Sequence, residues 1–416
     1  VATLAGPLAA ARAAADAATL PALRLSGYGS LSGSRDNRDD LAPIRDISQR
    51  PADGHTTGAT LRLDSRLAAQ AAYRVDAQTE MVLQAVVRDQ VDHSLAGNIE
   101  LGYAEWRPQG ELKLRGGRVG YDAFLMSDHR NLGYATTSVR PPTEFYGWIP
   151  VFSLDGVDAT RDFRDDEVLW KLKAQLGNSR LTIPMGDQDA RLIVEDLWSL
   201  TLTRDAGVWR LKAGLSGLRI ANEAAPLAAL RDGLDQLAAA ATLAAPAISA
   251  EAGGLRRELS FQDTRIQYAT LGASYDDGRW LVQAELGASR ASHAIAPSSE
   301  MGYLLLGRRF GNLLPYLLGS TSRPTRDQRR PLNDWNSIGQ SATQGVAYAV
   351  VNSTRVEQRT LAFGTRWDFA HRAALKLQWD HVDIKPQGYA LWFRSPQSNQ
   401  RRSSVELLTI SLDFIF

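Results

Sequence analysis

Residues 404–416 read Ser-Val-Glu-Leu-Leu-Thr-Ile-Ser-Leu-Asp-Phe-Ile-Phe, and their alternation decides the fold. One parity is apolar throughout: Leu408, Ile410, Leu412, Phe414 and Phe416. The other is mixed, with Val405, Leu407, Thr409, Ser411, Asp413 and Ile415. Successive side chains of a strand leave opposite faces, so a period of two means a strand with one apolar and one mixed face. A soluble sheet would also alternate, but would rarely finish on an aromatic residue with no polar tail.

Composition is compatible with a membrane barrel. The chain has 416 residues, a net charge of +1 and a mean hydropathy of −0.25. No run of 18 apolar residues is present, which excludes a bilayer-spanning helix. It does not exclude membrane strands, whose lipid-facing residues are interleaved with polar ones. The absence of cysteine removes disulfides and thiolate metal sites. Residues 1–21 are Ala-rich and read as an N-terminal periplasmic extension, weakly helical after Pro7, or as the tail of a signal peptide.

From Leu23 the alternation repeats. It predicts strands at 22–33, 58–75, 79–92, 99–107, 111–124, 152–162, 167–177 and 192–204. The second half adds 208–220, 260–275, 280–292, 300–309, 313–322, 355–369, 373–385 and the closing residues. Short turns such as Asp205-Ala206-Gly207 and Asp276-Asp277-Gly278-Arg279 alternate with longer loops at 34–57, 93–98, 125–151, 178–191, 221–259, 323–354 and 386–402. Gly116-Gly117 marks a bulge in the fifth strand. The fold class is therefore all-β: an antiparallel transmembrane barrel of sixteen strands over residues 22–416.

Apolar faces such as Val168, Trp170, Leu172, Ala174 and Leu176, or Trp209, Leu211, Ala213 and Leu215, would meet lipid. Aromatics gather at their turn ends (Tyr73, Trp209, Tyr275, Trp280, Trp367, Phe369 and Phe416), as at a membrane interface. The opposite faces carry Arg62, Arg66, Arg88, Lys113, Arg115, Lys171, Lys173, Arg210 and Lys212 on the earlier strands. Glu285, Arg366 and Lys376, with Asp368, Asp380 and Asp413, follow on the later ones. Charge on the lipid face would cost roughly 2–4 kcal/mol each at mid-membrane, so these residues need a wet interior. The expectation is a basic wall facing an acidic one and a modest preference for anions.

On this pattern the chain resembles sixteen-stranded bacterial outer-membrane porins, in which a terminal aromatic is the assembly signal. Short turns are periplasmic in that family, longer loops extracellular, and the third loop folds inward to narrow the channel. Here the third loop contains Ser127-Asp128-His129-Arg130-Asn131-Leu132-Gly133-Tyr134 and Arg140-Pro141-Pro142-Thr143-Glu144-Phe145-Tyr146-Gly147. The resemblance implies a constriction at Asp128, Arg130, Arg140, Glu144 and Tyr146. Its implied partners are outer-membrane lipid, lipopolysaccharide and small hydrophilic solutes, with no nucleic acid and no cofactor. It also leaves open a homotrimer, for which the small outward residues Gly27, Gly29, Ala69 and Ala71 offer close packing.

Enzymatic chemistry is disfavoured. The six histidines form no HExxH or His-x-x-x-His pair, and His381 has no identifiable serine partner. The insertion at 221–259 is out of pattern: Leu227, Leu230, Leu234, Leu237 and Ala241 predict one amphipathic helix, opened by Pro226 and closed near Pro246. It could cap its own loop, plug the lumen or dock a protein partner. Diffusion channel is the leading function; a gated polymer exporter and a structural barrel scaffolding a partner are the alternatives.

Overall fold

The computed structural model describes residues 22–50, 59–394 and 401–416; the Ala-rich extension expected at 1–21 lies outside the described residues. Sixteen antiparallel strands close on themselves. They are β1 (Leu23–Asp36), β2 (Arg66–Arg74), β3 (Thr79–Arg88), β4 (Ile99–Gln109), β5 (Leu112–Gly120), β6 (Ser153–Asp165), β7 (Val168–Met185) and β8 (Gln188–Ala206). There follow β9 (Trp209–Ile220), β10 (Arg265–Asp276), β11 (Trp280–Ala291), β12 (Ser299–Arg308), β13 (Leu313–Pro324), β14 (Val356–Ala370), β15 (Ala373–Tyr389) and β16 (Ser403–Ile415). Each pairs with its sequence neighbours, and β16 pairs with β1. Closure removes the unpaired edge that an open sheet would present.

Two-residue alternation decides which face meets what. Leu25, Leu286 and Ile410 are exposed on the outside, whereas Thr409, Asp413 and Lys376 are fully buried inside. The outer surface is an apolar band with Trp209, Trp280, Trp367 and Phe416 half-exposed at the turn end. Trp209 packs on Tyr275 across the β9–β10 pair at 4.9 Å between ring centroids. At the seam, Phe416 exchanges both backbone hydrogen bonds with Gly27, each 2.9 Å. A Cβ on Gly29 would lie 2.4 Å from the Phe414 ring, so the last strand's aromatics cover the glycines of the first. Of the four small residues expected to offer close packing there, Gly27 and Gly29 are covered by these rings.

Several expected boundaries move. β2 begins at Arg66, eight residues later than the alternation predicted, and β5 ends at Gly120 instead of 124. The loop expected at 178–191 is instead a hairpin: β7 and β8 pair out to Met185–Gln188 around Gly186, whose φ of +62° suits a residue without Cβ. Alternation is weak there because both strands change the character of their inner face. No bulge interrupts the pairing at Gly116-Gly117; the β4–β5 shift falls at Trp106/Gln109. Gly117 nevertheless needs to be glycine, since a Cβ would approach the Gly102 carbonyl oxygen to 2.4 Å at a φ of +123°.

The insertion holds two helices where one was expected: α1 (Ala228–Ala240) and α2 (Pro246–Glu258). Both pack with α3 (Ser341–Val351) from the loop between β13 and β14, around Leu234, Ala252, Leu255, Trp335 and Val351. Glu251 ties them together. It accepts from the backbone N–H groups of Leu332 and Asn333 at 3.0 Å, from the Trp335 indole at 3.2 Å and from the Tyr348 hydroxyl. The loops after β1 and β15 meet in a second small sheet, Leu41–Pro43 against Trp392–Arg394.

Candidate functional site: a lumen crossed by the third loop

Between β5 and β6 the chain turns into the barrel, and its polar groups bond to the inner wall on most sides. Arg140 is the anchor. Its guanidinium forms a two-pronged pair with Asp64 (2.6 and 2.9 Å), reaches Asp380 at 3.1 Å and donates to Thr409 at 2.7 Å. All are buried. Glu144 accepts from Ser320 at 2.6 Å, from Gln358 at 2.7 Å and from Thr360. Tyr146 donates to Glu285, which also accepts from the Leu125 N–H at 2.7 Å. Phe124 and Phe145 stand edge-on to Tyr268 and Tyr303 of the wall at 5.8 and 5.7 Å.

The later strands supply cations to the loop's carbonyls. Lys376 donates to Gly133 at 2.6 Å and to Ser138 at 3.1 Å while paired with Asp413 at 3.0 Å. Arg366 donates to Tyr134 and Thr136 and pairs with Asp368 at 2.7 Å. On the opposite side Asp122 binds both Lys173, at 3.2 Å, and Lys212. Arg115 is held by Asp158, and Arg210 by Asp205 at the turn end. The wall of free bases expected from β5, β7 and β9 is therefore largely neutralised by its own partners. Arg62, expected on a strand, sits in the turn before β2, is exposed and pairs with Asp89 at 2.7 Å. Arg66 is buried on β2, and none of its guanidinium nitrogens has a hydrogen-bond partner among the described residues.

Two polar cavities beside the loop lie against β1–β7. A cavity of about 550 Å³ toward the turn end is bordered by Lys113, Lys171, Asp128 and Arg130. A second, of about 170 Å³, lies toward the loop end beside Arg118, Asp155 and Ser179. Glu100 and Phe152 border both. There Arg88 pairs with Glu100 at 2.6 Å, and Asn131 donates to the same carboxylate oxygen at 2.7 Å. The Phe152 ring is sandwiched between the Arg88 and Arg130 guanidinium carbons, 3.8 and 3.9 Å from its centroid.

Sequence reasoning named Arg88 and Arg130 but missed Glu100, Asn131 and Phe152. Strict alternation puts Leu101, Tyr103 and Glu105 inside, hence Glu100 on lipid. A register shift between β3 and β4, where Gln84 faces Leu101 but Ala85 faces Ile99, makes Glu100 the extra residue and lets it join the interior. A carboxylate on an otherwise lipid-facing parity was the available signal. Among the described residues no cluster suits a metal ion.

No family model matches the chain, and no curated protein matches it. Solved structures do. The outer membrane channel DcaP of Acinetobacter baumannii aligns over 95% of this chain and 97% of its own, at 11% identity and a TM-score of 0.52. The anion-selective porin from Comamonas acidovorans aligns over 95% of this chain and 99% of its own, at 12% identity and a TM-score of 0.51. At these identities the likeness is one of fold: the chain has the closed barrel of bacterial outer-membrane porins.

Proposed function

We propose that the chain is an outer-membrane channel of a Gram-negative bacterium, through which small hydrophilic solutes diffuse passively with a modest preference for anions. The observation that carries this reading is the pair of polar cavities on the β1–β7 side, both bordered by Glu100 and Phe152, with Arg88 and Asn131 bonded to Glu100 between them. A closed barrel with an apolar exterior has no use for a charged, wet interior unless water and solutes occupy it. The narrow point in this reading is the Arg88–Glu100 pair. The third loop, from Asp128 through Arg140 to Tyr146, acts as the constriction that fills the remaining width.

Five cations (Lys113, Arg115, Arg130, Lys171 and Lys173) and three carboxylates (Glu100, Asp122 and Asp128) border the larger cavity. Lys113 and Lys171 are in no ion pair among the described residues. Unneutralised charge in a low-dielectric wall concentrates counterions, and salt weakens the effect as the Debye length falls to about 10 Å at 0.1 M. Reversal potentials of the purified protein in a planar bilayer under a salt gradient test the proposal. Ion-permeable steps with an anion-selective potential are expected. A bilayer that stays silent refutes the channel, and a cation-selective potential refutes the charge assignment.

A further inference from the structure

The inner faces of β7–β10 change character partway along the barrel. On β7, Lys171, Lys173 and Gln175 give way, beyond the shift at Gly177/Ser179, to Leu181, Ile183 and Met185. On β8, Thr201 and Ser199 are followed toward the loop end by Val194 and Leu192, past the irregularity at Asp196. β9 passes from Lys212 and Ser216 to Leu218 and Ile220, and β10 from Thr270 to Tyr268 and Ile266. Four consecutive strands thus make the same switch at the same level. An aqueous passage alone would not call for it.

These side chains, with Tyr121, Trp148, Phe261 and Trp392 from the loops, border a cavity of about 500 Å³. Its volume falls within the range of small-molecule sites. Among the described residues its lining carries no charged side chain, whereas both cavities along the β1–β7 wall are edged by several. A charged ligand would lose its hydration with nothing to replace it, whereas an apolar one gains by leaving water. Aromatic rings on several sides suit a flat ring system or a chain lying across their faces.

We propose that this cavity is a binding site for a neutral hydrophobic small molecule at the loop end of the lumen, next to the smaller polar cavity, with which it shares Pro150 and Leu181. Ring compounds and single acyl chains share the required chemistry. Occupancy does not depend on the barrel conducting, so the site and the channel reading can fail independently.

The test is fluorescence titration of 1-N-phenylnaphthylamine into the full chain in lipid nanodiscs, with empty nanodiscs subtracted. A saturable component is expected in the wild type. Leu192→Glu should weaken it at least tenfold by placing a carboxylate in the cavity, and Leu218→Trp should do so by filling it without charge. Ile193→Ser, on the lipid side of β8, should leave it unchanged. Heat-modifiable gel migration reports whether each variant is folded. Displacement by naphthalene would favour ring compounds, and displacement by dodecanol an acyl chain; either supports the site. Absence of a saturable component in the wild type, or equal binding by all folded variants, overturns it.

Discussion

Replacing Arg140 by Leu should loosen the third loop and widen the channel. The side chain is buried and holds two carboxylates, Asp64 and Asp380, that are themselves almost wholly out of contact with solvent. Removing one member of such a group leaves the others charged and uncompensated, which costs about 3–5 kcal/mol. At 1.4 kcal/mol per factor of ten, the balance between docked and released loop shifts by roughly 10² to 4 × 10³. The loop does not come away altogether, because the bonds from Glu144 to Gln358 and Ser320 and from Lys376 to Gly133 remain.

Single-channel recording separates these states. The wild type should hold one main conductance level; Arg140→Leu should add frequent excursions to a larger one. Adding Asp64→Asn and Asp380→Asn removes the stranded charges, so the triple variant should return toward the wild-type trace, a non-additivity expected of contacting residues. Deleting residues 134–147 should give the larger level permanently, with conductance raised severalfold. If the folded Arg140→Leu protein and the deletion both conduct as the wild type does, the loop does not limit flow and the reasoning is wrong.

Lys113→Gln with Lys171→Gln should move the reversal potential toward cations, while Lys173→Gln alone should move it less, since Asp122 already holds that ammonium. Gly29→Ala should slow refolding or lower heat resistance on gels, because the new methyl meets the Phe414 ring; Phe414→Ala should rescue it. Burial pushes the Glu251 carboxyl up, but hydrogen bonds from Tyr348, Leu332, Asn333 and Trp335 outweigh it and leave the group below the usual carboxylate range. Its contribution to the helical cluster is thus full above an unfolded value of about 4.3 and is lost as pH falls through the lower folded one. Protease cleavage within 228–258 should rise only in that acid window, and Glu251→Gln should abolish the pH step.

The barrel was legible because its physical requirement is local. Every second residue of a membrane strand must satisfy lipid, so Leu375, Leu377 and Trp379 could be placed outside and Lys376, Gln378 and Asp380 inside by parity alone. Parity fails where a strand carries an extra residue, and Glu100 is the instance that mattered. It also cannot register a change of medium along one face. Leu181, Ile183 and Met185 look like loop residues against the polar run before them, yet they continue the same strand into an apolar part of the lumen.

Charge at the site was less legible, because a wall cation's effect depends on what the loop brings to it. Lys173 and Lys212, on strands β7 and β9, look like free charges until Asp122 enters from the third loop and binds both. The acidic partners imagined across the pore are likewise claimed: Asp380 by Arg140, Asp413 by Lys376 and Asp368 by Arg366. A transverse field from opposite walls therefore collapses into short pairs, each screened by its partner at about 3 Å. What survives to act on a solute is the charge the loop does not reach. Lys113 and Lys171 lie against the open cavity on β5 and β7, so the proposed preference for anions draws on these two lysines and should weaken sharply with salt.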